Sequence, residues 1–218
     1  MSFIAVLGAG SAGGALAYRL ASRNRVREVR LIDPDGRIAQ GKALDIQQSS
    51  PIEGFGTRVS GAENLEAAIG ADAIVIADMA RDDGEHAGEA GLALIRRIAA
   101  MEPAAPLVFA GATQRELMAR TVTELRVERR RVIGSAPGAL ESAVRALVAL
   151  ELNGTGVEVR LLVVGVPPHA AVVGWEEATA FGQPVRALVP PHTLAAISAR
   201  LTALWPPGAQ ALASAASR

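Results

Sequence analysis

Apolar residues in the N-terminal part of the chain fall into short unbroken runs that alternate with helically spaced segments. Phe3 to Leu7 is one such run and reads as a buried strand. Ala15, Leu16 and Leu20 then recur at helical spacing, and a second run, Val29 to Ile32, ends at Asp33. Ile38 to Ile46 predicts a helix and Pro51 to Phe55 the turn after it, with Val59 in a short strand. Asn64 is placed to cap a short helix over Leu65 to Ile69, and Asp72 to Ala77 forms another buried strand. A polar loop rich in charge and glycine, Met79 to Gly88, leads into a helix through Leu92, Leu94, Ile95 and Ile98 that stops before Pro103. Pro106 to Ala110 predicts a strand, Arg115 to Leu125 a helix and Arg131 to Gly134 a strand. This alternation predicts an α/β fold, a doubly wound parallel sheet covered on both faces, with ligands at the carboxyl ends of its strands.

The pattern changes after residue 134. Ala139 to Leu152 is helical, Val157 to Val166 is a long β-rich run stopped by Pro167-Pro168, and Gln183 to Val189 suits a hairpin strand. Leu194 to Leu204 is helical, followed by Pro206-Pro207-Gly208 and a tail of small residues. The expected division is therefore 1–134 and 135–218, the second part a shortened, partial α+β domain.

Charge and composition narrow the classes. The 218 residues are half hydrophobic, enough for a substantial core, and 22 basic residues balance 22 acidic ones. Neither nucleic acid nor an anionic membrane is expected as a partner, and the basic cluster Arg126–Arg131 reads as a solvated helix end. No apolar stretch reaches bilayer-spanning length, and the first apolar run is the strand itself, so a cytoplasmic protein is expected. The absence of cysteine excludes disulfides and thiol nucleophiles.

Between the first strand and helix stands Gly8-Ala9-Gly10-Ser11-Ala12-Gly13, a G-x-G-x-x-G. Gly8 permits the tight turn, Gly10 lets a pyrophosphate approach the backbone, and Gly13 lets helix and strand pack closely. The N–H groups at the helix start, with Ser11 and Ala12 there, would face the phosphates. Asp33, twenty residues after Gly13, can accept the ribose hydroxyls of an adenosine, and Ala77 would flank the cofactor across the crevice. No arginine directly follows Asp33, which favours NAD over NADP.

The order of these motifs resembles the malate/lactate dehydrogenase family of NAD-dependent 2-hydroxy acid dehydrogenases. Gly41-Lys42-Ala43-Leu44-Asp45 with Pro51 and Gly54-Phe55 is similar to the G-K-A-L-D…P-x-x-G-F of malate dehydrogenases. Leu140-Glu141-Ser142-Ala143 is similar to the family's L-D-S-A, and Val164 to Val173 with Pro184 falls where the family has G-x-H-G and G-x-P-L. The family's chains continue past this one, and Ala211 to Ala215 resembles the small-residue stretch that precedes the missing portion. The resemblance implies hydride transfer between nicotinamide and a small 2-hydroxy or 2-keto acid, in a homo-oligomer.

It also implies specific site residues. His169 would exchange the hydroxyl proton, Glu141 would orient it, and Arg81 would hold substrate. Other family positions are altered: Ala87 stands where a second loop arginine is expected, Gly111 for an asparagine, Val144 for a carboxylate-binding arginine, and Pro167 for the histidine. Asp78 stands for a glycine near the cofactor, adding negative charge beside the phosphates. His86 and His192 read as exposed loop residues, Arg145 as a surface or interface residue, and Trp175 and Trp205 as core or subunit contacts. The expected function is an NAD-dependent dehydrogenase with a reduced site; a catalytically inactive NAD-binding relative and an oligomeric scaffold are the alternatives.

Overall fold

The computed structural model describes residues 2–81 and 84–218. Asp82 and Asp83 of the polar loop lie outside the described residues. The chain divides into two compact units: residues up to Ser135 together with Gly208–Arg218, and Ala136–Pro207.

The first unit runs β1 (Phe3–Leu7), α1 (Ser11–Ser22), β2 (Glu28–Ile32), α2 (Gly36–Glu53), β3 (Arg58–Ala62), β4 (Ala73–Ile76), α3 (Gly88–Met101), β5 (Leu107–Phe109), α4 (Arg115–Thr123) and β6 (Val132–Gly134). Its parallel sheet has the order β3-β2-β1-β4-β5-β6. Strand order reverses between β1 and β4, which opens a crevice at their carboxyl ends. Side chains alternate across the sheet as the pleat requires. Phe3, Ala5 and Leu7 of β1 join Ile74 and Ile76 of β4 in one core, under Leu92, Ile95 and Ile98 of α3. Val6 and Val75 face the opposite core, covered by Leu16, Ala17 and Leu20 of α1. The crevice therefore sits above a sheet anchored on both faces.

The second unit contains α5 (Ala136–Glu151), β7 (Val159–Arg160), β8 (Val163–Val166), β9 (Ala170–Val173), β10 (Thr179–Ala180), β11 (Gln183–Pro184), α6 (Val185–Leu188) and α7 (Pro191–Ala199). β7 and β11 pair antiparallel with β10, and β8 with β9 is a hairpin. Leu140, Val144 and Val148 of α5 form its core with Val159, Val185 and Ile197. Trp175 packs against that core and donates its indole N–H to Ser198 Oγ at 2.8 Å.

Several boundaries differ from the sequence expectation. α2 continues through Pro51 to Glu53, because proline in a last turn leaves only one carbonyl without its helical partner. Gly54, at φ +75°, then ends the helix by donating its N–H to Ser50 O. The run 157–166 is broken because β7 and β8 pair with different strands. Gln183 to Val189 is a strand only over Gln183–Pro184; the Val189 N–H bonds to Val185 O and closes a helical turn instead. The tail forms α8 (Ala209–Ala216), which packs on α1 in the first unit. Arg23 reaches the Ser217 carbonyl across this contact. Among the described residues no helix is long and apolar enough to cross a membrane.

Candidate dinucleotide crevice

The glycine turn is built as its spacing predicts. Gly8 adopts φ +110°, unfavourable for any residue with a Cβ, and its N–H bonds to Ile32 O at 2.7 Å. A Cβ on Gly13 would collide with Gly8 O, so this glycine sets how closely α1 lies on the turn. Ala77 is buried at the end of β4, its N–H on Leu7 O. Backbone donors at the start of α1 thus point into the crevice between β1 and β4.

Those donors already have an anionic partner. Asp78, directly after Ala77, accepts the Ala12 N–H at 2.9 Å on Oδ2 and the Gly13 N–H at 2.7 Å on Oδ1. Ser11 Oγ also donates to Oδ2, at 3.2 Å. The space above Gly10, which sequence reasoning reserves for a pyrophosphate, holds the Asp78 carboxylate, and a Cβ on Gly10 would strike it. Asp78 is only 6% exposed. Its backbone is fixed as well, by the Gly10 N–H on its carbonyl and a bridge to Glu85.

Asp33 is likewise committed. It is 2% exposed and accepts N–H groups of Ala9 at 2.8 Å, Ala80 at 2.9 Å and Asp35 at 2.8 Å. The expected ribose acceptor instead ties the loop after β4 to the end of β2. Glu85 fills a third position: it accepts from the backbone N–H groups of Ala112 at 2.6 Å and Thr113 at 2.7 Å, and its carboxyl group lies against Gly111. Asp78 was visible in sequence as an added charge, but Glu85 carried no signal, since its role depends on two loops meeting.

Next to this cradle is a cavity of about 290 Å³. Its apolar walls include Leu7, Ile32, Leu65 and Leu94, with Arg97 and His86 among its polar lining. His86 is not the exposed loop residue expected. Its Nε2 is buried without a hydrogen-bond partner, and burial pushes the imidazole pKa below its ordinary value, against the opposing pull of Asp33 and Asp78.

Of the candidate catalytic residues, Arg81 belongs to the first unit and Glu141 and His169 to the second. Arg81 is 79% exposed and its guanidinium bonds to Asp35 at 3.0 Å, holding that carboxyl below its usual pKa. Glu141 lies on α5, and His169 stands exposed in the turn between β8 and β9. Among the described residues no hydrogen bond joins them. Val144 is fully buried in the second unit's core, and Arg145, expected at the surface or an interface, is half-buried with its Nε unpartnered.

Residues 3–99 match the family described as lactate/malate dehydrogenase, NAD binding domain. The chain is 30% identical over 203 residues to a malate dehydrogenase of Chloroherpeton thalassium, covering 89% of this chain and 65% of that one. It is 32% identical over 208 residues to a malate dehydrogenase of Chlorobium phaeovibrioides, covering 90% and 66%. It thus spans about two thirds of those relatives. The solved structure of malate dehydrogenase from Salinibacter ruber superposes with a TM-score of 0.86 at 25% identity, over 99% of this chain and 73% of that one. NAD is the cofactor of this type of domain. The glycine spacing fits it, but the Asp78 carboxylate stands where its pyrophosphate would need the α1 donors, so the residues as placed do not fit the group.

Proposed function

The chain belongs to the malate/lactate dehydrogenase family, and from that premise we propose that it is an oxidoreductase-type, NAD-binding fold whose own residues do not carry out 2-hydroxy acid chemistry. The observation that carries this reading is that, among the described residues, no hydrogen bond joins His169 to Glu141. Proton exchange at a hydroxyl needs an imidazole held in one tautomer by a second group. Here the histidine is exposed on a hairpin turn and the carboxylate makes no bond to it. The substrate side supports the same reading: Arg81 is paired with Asp35, and Ala87 and Val144 supply no cation. A carboxylate loses charge-assisted hydrogen bonds worth about 1.5–3 kcal/mol each at such positions.

The test is NADH oxidation with a panel of 2-keto acids bearing one or two carboxylates. No turnover above that of His169→Ala is expected. Turnover that His169→Ala abolishes would establish instead a working dehydrogenase of reduced site. Self-association belongs to the proposal too: Leu44 and Ile52 stand exposed on α2. A strictly monomeric species in light scattering at micromolar concentration would reject that part.

A further inference from the structure

In this chain the backbone N–H groups at the start of α1 donate to a carboxylate of the chain itself. Backbone N–H groups at a helix start, close approach over a glycine and the positive end of a helix together recognise an anion. All three are present at the start of α1, and Asp78 meets them with both oxygens at 2.7 and 2.9 Å, buried and over Gly10. We propose that Asp78 is a specificity-determining residue: it substitutes for the pyrophosphate in its own cradle and turns away phosphate-bearing dinucleotides.

Three further features set its strength. Asp78 is not carried on a loose segment, since the Gly10 and Met79 amides bond to Asp78 O and Gly84 O, and Ala80 bonds to Asp33. Asp33 and Glu85, both carboxylates, hold the flanking backbone, so a diphosphate entering the crevice meets like charge. Lys42, the cation beside the turn, donates its Nζ to Gly10 O at 2.8 Å and so lies at the backbone of the turn, not on the Asp78 carboxylate. The inference rests on the family assignment of this unit as NAD-binding in type, and goes beyond the absence of catalysis, because it concerns affinity alone.

The experiment is an NADH fluorescence titration of the full chain as wild type, Asp78→Gly and Asp78→Asn, with folding checked by circular dichroism. Asp78→Gly is expected to bind about tenfold or more tighter than wild type, since it removes both the competing ligand and its charge. Inorganic pyrophosphate should displace NADH from Asp78→Gly, while adenosine, having no phosphate, should bind wild type and variant alike. Asp78→Asn keeps the volume but not the charge, so it should fall between them; it serves alone if the glycine variant does not fold. Equal NADH affinity in wild type and variants, or no binding in any, overturns the proposal. So does binding to Asp78→Gly that pyrophosphate does not compete. Keto-acid turnover by Asp78→Gly would refute the catalytic reading above while leaving this one standing, so the two can fail separately.

Discussion

Asp78 Oδ1 lies 2.7 Å from the Gly13 amide nitrogen, so a residue from the end of β4 caps a helix that begins 67 positions earlier. Gly10, at the local cap position, has no side chain to do this. Asp78→Ala should lower the free energy of unfolding by about 1–2 kcal/mol, the usual cost of losing a helix cap. Urea unfolding measures it, and Asp78→Asn should recover part of the loss. An unchanged midpoint would mean that the carboxylate does not hold α1.

Asp33 supports three backbone amides from three loops, those after β1, β2 and β4. Replacing it with alanine leaves these N–H groups without an acceptor in a buried site and should cost about 2–4 kcal/mol. The Ala80 amide should then exchange with solvent faster than in wild type. Unaltered exchange there would show that another group fastens the loop.

His86 makes stability depend on pH below neutrality. Its folded pKa is depressed by burial from an ordinary 6.5, so below that pH the unfolded chain binds the proton and the folded chain resists it. Stability should therefore fall as pH drops through 6.5, by at most about 1.4 kcal/mol per pH unit for one proton. Comparing urea midpoints of wild type and His86→Leu between pH 7.5 and 5.5 checks this; the variant should show the shallower slope. Glu28, whose carboxyl is held low by Arg30, contributes only at more acidic pH, where it too loses stability on protonation.

Val144 cannot be exchanged for a substrate arginine. It has no exposure and packs within the second unit's core, where a buried guanidinium lacks a counter-charge. Val144→Arg should destabilise the chain by about 3–5 kcal/mol or prevent folding, whereas Val144→Ala should cost about 1–3 kcal/mol. A stable, folded arginine variant would show that position 144 opens to solvent.

Much of the fold was legible because its signals are local. Unbroken apolar runs gave β1, β4 and β5, and the glycine spacing placed the turn whose positive φ only Gly8 accepts comfortably. What escaped depends on contacts distant in sequence. The tail's small residues carry no sign that they will pack on α1, and Val157 to Val166 reads as one strand because partner exchange leaves no mark on hydropathy. The site was legible in its residue types but not in their partners. Gly10, Gly13 and Asp33 are where the motif predicts, yet the ligands they meet are the chain's own carboxylate and amides. Glu85 and half-buried His86 leave no mark in sequence, because the partners of the one and the surroundings of the other come from distant parts of the chain.

The amide resonances of Ala12 and Gly13, followed by nuclear magnetic resonance as NADH is added, report whether the protein's own carboxylate keeps the dinucleotide cradle. These amides should stay in place in the wild type and shift in Asp78→Gly at the same NADH concentration. Wild-type shifts as large as those of the variant would contradict the account, because the amides would then be free to receive the pyrophosphate.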